Sequence, residues 1–192
     1  MLMFADTREL WKRYTTVMAP RWSSDDPVQD LGAEIRNRLE QLDLVLGYVQ
    51  RASEAFTSGQ REAMLRAGQE AQLFTEIFYL VAWRIVVAIK KAPKTMFPPN
   101  GAALDVPGIT RGRNLLIEHP EQRGGVYRQS LVFTSAGPVL KGSAVVVRGA
   151  TGMVEPDRDS GERGLYEDAR ELHEEIMRIV TGALAATEET TV

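Results

Sequence analysis

The sequence LFTEIFYLVAWRIVVAI, residues 73–89, decides the fold class of this 192-residue chain. Fourteen of its seventeen residues are apolar, and the three exceptions include Glu76 and Arg84. A helix that is apolar on all sides is buried among other elements, whereas a membrane-spanning helix needs about 20 consecutive apolar residues. The stretch therefore predicts the central helix of a helical bundle, from about Gln60 to Lys91, and no membrane span. Glu76 and Arg84 would be charges inside that helix that need partners.

Three further stretches repeat apolar residues at alternating steps of three and four, which is the spacing of one helical face. They predict helices over about Thr7–Met18, Pro27–Phe56 and Leu165–Ala185. Asp6 and Glu9 have the spacing of a capping box at the start of the first helix. Short connections between the first three helices favour an antiparallel arrangement.

Residues 124–148 have a different pattern, rich in valine and interrupted by SAGP at 135–138. The two runs on either side of this turn predict a β-hairpin insertion. Residues 149–164 are rich in glycine and charge, and predict a flexible loop. The whole chain, 1–192, is thus predicted to be a single domain. Its fold class is mostly α, an antiparallel bundle of four to five helices with a β-hairpin insertion before the last helix.

Composition excludes several kinds of site. The chain has no cysteine and two histidines, which rules out a disulfide scaffold, a thiolate zinc site and a cysteine nucleophile. The glutamates of the last helix lack the Glu-x-x-His pattern that di-metal bundles carry on two helices. We therefore expect no metal and no cofactor. Because no basic segment followed by a long apolar run opens the chain, we expect a cytoplasmic protein.

Charge is distributed unevenly along the chain. Residues 84–128 contain eight basic and three acidic side chains, whereas residues 155–192 contain four basic and eleven acidic ones. A basic middle suits a phosphate-bearing partner, and an acidic final helix usually faces water, although both are also typical of an ordinary solvated surface. His173 lies in that acidic run and is predicted to be a solvated surface residue.

The sequence RNLLIEH, residues 113–119, lies between the central helix and the predicted hairpin. Pro120 favours the end of any helix just before His119, which would let that histidine approach Arg113. Histidine can remove or supply a proton near neutral pH, and arginine can hold a phosphate and stabilise charge developing on it. Asn114 could orient the histidine or a phosphate oxygen.

This stretch resembles the Arg-Asn-x-x-x-x-His signature of the HEPN superfamily, whose members are small helical bundles. Many members are metal-independent ribonucleases that act as dimers, and some are toxins paired with a nucleotidyltransferase. The resemblance implies a homodimer that cleaves RNA, with Arg113 and His119 as the catalytic pair and Asn114 in support. It also implies a nucleotidyltransferase-type partner in a toxin–antitoxin pair. Two carboxylates are further candidates: Glu76 could orient Arg113, and Glu118 could pair with it.

Two other functions remain open. Some HEPN members have lost the chemistry, so a non-catalytic, dimeric interaction or scaffold protein is the main alternative. A small-molecule binding bundle is the third. If the protein is a nuclease, His119 of both protomers should lie in one open basic groove. If it is a scaffold, the motif should be buried or covered by the hairpin. If it is a ligand-binding bundle, a closed apolar pocket should lie near Trp83.

Overall fold

The computed structural model describes residues 2–22, 27–57, 61–92, 96–97, 104–114, 125–134, 137–146 and 163–189. Most of these residues are helical, which confirms the mostly helical fold class. The helices within the described ranges are α1 (Ala5–Met18), α2 (Pro27–Thr57), α3 (Arg61–Lys91), α4 (Pro107–Arg113) and α5 (Leu165–Glu189), with one 3₁₀ turn at Ala19–Arg21.

The first helix begins earlier than predicted, and the predicted capping box is wrong. Its N-cap residue is Phe4, which makes no side-chain cap, and Asp6 lies within the first turn. Phe4 is fully buried, and its backbone N–H donates to Oδ1 of Asp43 at 2.9 Å. A contact 39 residues away in sequence therefore sets the start of α1.

Helices α1, α2 and α3 pack in antiparallel order. Tyr48 of α2 stacks on Phe74 of α3 at 4.7 Å between ring centroids, near the end where the two helices are joined. The start of α1 meets Asp43, and further along Nε1 of Trp11 donates to the carbonyl of Gly32 at 2.8 Å. As α1 advances, its partners on α2 move backwards in sequence, which is the antiparallel arrangement predicted for these helices.

The last helix, in contrast, runs parallel to α1. Near its start, Nδ1 of His173 shares a hydrogen bond with the hydroxyl of Thr7, and near its end the carbonyl of Thr187 accepts from Nη2 of Arg21. Both pairs are 166 residues apart, so the two helices advance together. The connection from α3 to α5 must therefore return along the bundle, and this return positions α4.

The apolar half of α3 forms the centre of the core. By length and composition alone, Glu62–Lys91 could cross a membrane, but the core helix of a bundle meets the same criterion. In this structure 44% of its most apolar window is buried. Phe78 and Ile85 have no exposed surface and pack with Leu39 and Leu42 of α2, as the core-helix prediction requires.

Two strands follow α4 in sequence. The backbone of β1 (Gly125–Thr134) pairs antiparallel with β2 (Gly137–Val146), and the two-residue strand β3 (Arg163–Gly164) pairs with the other edge of β2. The predicted loop 149–164 lies outside the described residues except for its last two, which form β3. The interpretation of this region as a hairpin inserted into the bundle stays a prediction.

Candidate functional site

The short helix α4 is fixed against α3 through a glycine. A Cβ atom at Gly112 would overlap the ring of Tyr79, so this close approach requires a residue without a side chain. The Tyr79 ring is itself held, because its hydroxyl donates to Oδ2 of Asp168 on α5 at 2.6 Å. Three helices therefore meet at Tyr79, and they determine where the next residue, Arg113, lies.

Arg113 stacks on an aromatic side chain of α3. Its guanidinium carbon lies 4.7 Å from the centroid of the Trp83 ring, and its Nη1 donates to Oδ1 of Asn114 at 3.2 Å. Trp83 lies four residues after Tyr79, so both rings are on one face of α3. Gly112 and Arg113 thus contact consecutive turns of that face. The stacking is a cation–π contact that orients Arg113.

A second segment fixes the other end of α4 to α5. The backbone N–H of Asp105 donates to Oε2 of Glu175 at 3.3 Å, just before α4 begins. Hydrogen bonds from Arg178 hold the pKa of Glu175 below its ordinary value, and the bond from Asp105 also lowers it, although partial burial opposes them. Glu175 is therefore a charged acceptor for both Arg178 and the segment that leads to the site.

Trp83 also lines an open groove between α2 and α3 with a volume of about 620 Å³. We call this the Trp83 groove. Its apolar surface comes from buried or half-buried side chains, and its rim carries three cations and one carboxylate. The lining residues are Val28, Leu31, Trp83, Val87 and Ala88 on the apolar surface, with Arg38, Arg84, Lys91 and Glu34 at the rim.

The Trp83 groove has a positive rim. Its one carboxylate, Glu34, accepts a hydrogen bond from Nε of Arg38 at 2.9 Å and forms an ion pair with it. Arg84 and Lys91 are exposed, and neither has an ion-pair partner within the described part of the chain. Arg113, on the Trp83 ring, adds a further cation beside the groove. The groove is open, unlike the closed pocket expected of a small-molecule binding bundle.

The structure describes three of the five residues predicted for the site. Arg113 is half-buried and Asn114 is exposed beside it. Glu76 is half-buried and accepts a hydrogen bond from Nε2 of Gln72 at 3.3 Å. Since Glu76 precedes Trp83 by seven residues, it lies about 10 Å further back along α3. Its role in orienting Arg113 stays a prediction, and Glu118 and His119 lie outside the described residues.

Two other predictions are wrong. Arg84 is not a buried charge, because it is exposed at the rim of the Trp83 groove. His173 is not a solvated surface residue but is half-buried, with 6.1 Å between the centroids of its ring and the Phe4 ring, which meet edge to face. The parallel packing of α1 on α5 covers it.

The sequence interpretation also missed the groove. Arg84, Val87, Ala88 and Lys91 follow the spacing of one helical face, which could have indicated a basic and apolar stripe on α3. The stacking of Arg113 on Trp83 could not be predicted from the sequence, because this contact forms only when the chain returns to α3.

No group of three or more His, Asp or Glu side chains within the described ranges could hold a metal ion. Comparisons of the chain with protein-family models, with curated proteins and with solved structures found no match. The resemblance of residues 113–119 to the HEPN signature therefore stays a prediction from the sequence.

Proposed function

We propose that this protein is a HEPN-like, metal-independent endoribonuclease that works as a homodimer. The observation that carries the proposal is the stacking of Arg113 on Trp83 beside a groove whose rim is rich in cations. Proteins that hold single-stranded nucleic acid combine aromatic side chains with a positively charged groove. An arginine at the edge of such a groove is well suited to contact a phosphate.

In the proposed reaction, Arg113 binds the scissile phosphate and His119 acts as the base. His119 accepts the proton of the 2′-hydroxyl, and the 2′ oxygen attacks the phosphorus. The bond from phosphorus to the 5′ oxygen breaks, and the imidazolium of His119 donates its proton to the departing 5′ oxygen. The products are a 2′,3′-cyclic phosphate and a 5′-hydroxyl. Arg113 stabilises the charge that develops on the phosphoryl oxygens, while Asn114, Glu118 and Glu76 support the pair.

Further parts of the proposal come from the resemblance and the sequence pattern. The two protomers would bring their motifs to one cleft, in the cytoplasm, and a nucleotidyltransferase-type protein would be the partner in a toxin–antitoxin pair. Residues 124–148 would be a hairpin inserted into the bundle beside the motif. The antiparallel pairing of β1 with β2 supports that interpretation.

Cleavage of RNA in EDTA tests the proposal, with the wild type and His119→Ala compared at equal concentration. We expect the wild type to leave 2′,3′-cyclic phosphate ends and His119→Ala to lose about 100-fold or more in rate. Absence of cleavage by the wild type, or equal cleavage by both proteins, would contradict the proposal. End-group analysis distinguishes this reaction from contaminating nucleases that leave other ends.

A non-catalytic scaffold is the second candidate, and a separate surface favours it. Leu44, Tyr48 and Leu73 are 59%, 45% and 52% exposed on α2 and α3, and Tyr48 stacks with Phe74 there. Clustered exposed apolar side chains are typical of protein-binding surfaces. A scaffold would not cleave RNA, and Leu44→Lys with Leu73→Lys would reduce its assembled mass in light scattering. If the assembled mass did not change, this surface would not be the interface.

A further inference from the structure

We infer that the Trp83 groove is a docking site for a helix of a partner protein, one that carries an apolar stripe flanked by carboxylates. This inference goes beyond the proposed function, because docking at this surface requires neither RNA nor the chemistry of His119. Three features of the groove carry it: the aliphatic character of its floor, the shape left between α2 and α3, and the spacing of its cations.

The floor of the groove is mostly aliphatic. Of the five apolar side chains that line it in the described part of the chain, four are aliphatic and the fifth is Trp83. Leu31, Val87 and Ala88 are half-buried, so each leaves apolar surface uncovered along the groove. Successive nucleobases stack on aromatic planes, whereas the buried centre of a protein interface is apolar. The floor therefore favours a protein partner.

The groove lies between two helices whose backbone groups are already paired. The N–H and C=O groups of α2 and α3 bond within each helix, so neither helix offers an edge to which an extended segment could pair. An extended segment on this floor would bury unpaired backbone groups, whereas a helix pairs its own. From Trp83 to Lys91 the lining extends for about 12 Å along α3, a length that two turns of a partner helix would cover. An amphipathic helix in an apolar groove is a recurring mode of recognition.

The rim determines the charge of the partner helix. The carboxylate at the rim, Glu34, is paired with Arg38 and does not neutralise the other cations. Arg84 and Lys91 are exposed and lie seven positions apart on α3, which separates them by about 10 Å along the helix. Two carboxylates seven positions apart on a helix lying alongside α3 have the same separation, so both can pair at once. Complementary charges of this kind select the partner and fix its orientation.

The acidic last helix of a second copy of this chain does not have the required surface. The exposed face of α5 alternates acidic and basic side chains, namely Glu167, Arg170, Glu174 and Arg178. Within the described residues, the large apolar side chains that are exposed all lie on segments before α4. Helix α5 therefore lacks both the apolar stripe and the uniform charge, and we assign the occupant to a different protein.

Binding of a designed peptide tests the inference. The probe is a fluorescein-labelled, alanine-based peptide of 16 residues, with leucines along one helical face and two glutamates seven positions apart beside them. One control peptide has lysines in place of the glutamates. A second control peptide has the same composition, with the leucines spread around the helix. Anisotropy is recorded while each peptide is titrated with the 192-residue protein.

Two protein variants separate the groove from the rest of α3. The groove variant carries Arg84→Gln and Lys91→Gln. The matched control carries Arg66→Gln and Lys90→Gln, which replace exposed cations of α3 outside the groove lining. Circular dichroism melts check that both variants keep the fold.

We expect the wild type to bind the acidic peptide at least about tenfold more tightly than either control peptide, because only the acidic one matches both the floor and the rim. The groove variant should lose about tenfold in affinity for the acidic peptide, while the control variant keeps the wild-type affinity. Both results together would support docking of an acidic amphipathic helix in the Trp83 groove.

Three results would overturn the inference. The first is equal binding of the three peptides, or equal binding of the acidic peptide by the groove variant and the control variant. The second is groove-dependent binding of a 2′-O-methyl RNA 12-mer without groove-dependent binding of the peptide, which would make RNA the occupant. The third is a lower assembled mass of the groove variant alone in light scattering, which would make a second copy the occupant. Cleavage of RNA by the wild type can accompany any of these results, so the nuclease proposal is tested separately.

Discussion

The guanidinium of Arg113 lies on the ring of Trp83, with 4.7 Å between its central carbon and the ring centroid. The two residues are thirty positions apart, and the chain between them leaves α3 and returns to it. This contact joins the RNLLIEH motif at residues 113–119 to the Trp83 groove. It is the structural basis for treating the motif and the groove as one site.

Replacement of Gly112 by alanine should destabilise the protein by about 1–3 kcal/mol, because the new Cβ overlaps the Tyr79 ring and must displace it. Gly47→Ala is the matched control, since a Cβ at that position meets no atom within 4 Å. Glycine within a helix lowers the free energy of unfolding by about 0.5–1 kcal/mol relative to alanine. The control should therefore be more stable than the wild type. Urea unfolding measures both changes, and a Gly112→Ala protein as stable as the wild type would contradict the packing of α4 on Tyr79.

Replacement of Tyr79 by phenylalanine should cost about 1.5–3 kcal/mol, because its hydroxyl donates to a buried carboxylate, that of Asp168. The same substitution should also reduce RNA cleavage, since Tyr79 supports the segment that carries Arg113. Thermal unfolding and the cleavage rate are the two measurements. Unchanged stability would mean that this bond does not hold α5 to α3.

Tyr14→Phe, in contrast, should not destabilise the protein. The hydroxyl of Tyr14 is buried without a hydrogen-bond partner within the described residues, and its burial raises the pKa well above the ordinary value. Removing it relieves an unsatisfied polar group while the ring keeps its stack on Phe97. We expect the free energy of unfolding to stay the same or to rise by about 1 kcal/mol. A clear loss of stability in urea would reveal a partner for this hydroxyl outside the described residues.

Glu175 should contribute stability that depends on pH. Because Arg178 holds its pKa below the ordinary value of about 4.3, the contribution is present above that pH and is lost as the pH falls through the lowered folded pKa. Glu175→Gln should cost about 0.2–1 kcal/mol at pH 7, a small value because Arg178 is half exposed. This cost should shrink as the pH falls through the lowered pKa of Glu175. Glu174→Gln, at an exposed neighbouring position, is the control. A cost of Glu175→Gln that does not change with pH would contradict the assignment.

The helices could be predicted from the sequence because each has a continuous apolar stripe. The second helix is predicted to end near Phe56 and ends at Thr57, and the third begins at Arg61 and ends at Lys91 as the pattern indicates. A predicted helix boundary was wrong where a distant contact competes with the local sequence signal. At the first helix, the buried Phe4 and its bond to Asp43 override the capping pattern of Asp6.

The candidate site could be predicted only as a set of residue types. The motif supplied Arg113 and Asn114, but no local pattern predicts that Gly112 lies on Tyr79 or that Arg113 lies on Trp83. Those contacts follow from the direction of α5, which runs parallel to α1. The half-buried position of His173 has the same origin, since only tertiary packing brings it to Thr7.

The rate at which Arg113→Ala cleaves RNA in EDTA measures whether Arg113 is catalytic, with Arg66→Ala as the matched control. Arg66 is an exposed arginine of α3 paired with Glu70, away from the Trp83 groove. We expect Arg113→Ala to lose about 100-fold or more in rate, and Arg66→Ala to cleave at the wild-type rate and leave 2′,3′-cyclic phosphate ends. Cleavage by Arg113→Ala at the wild-type rate, or no cleavage by the wild type, would contradict the catalytic role of Arg113.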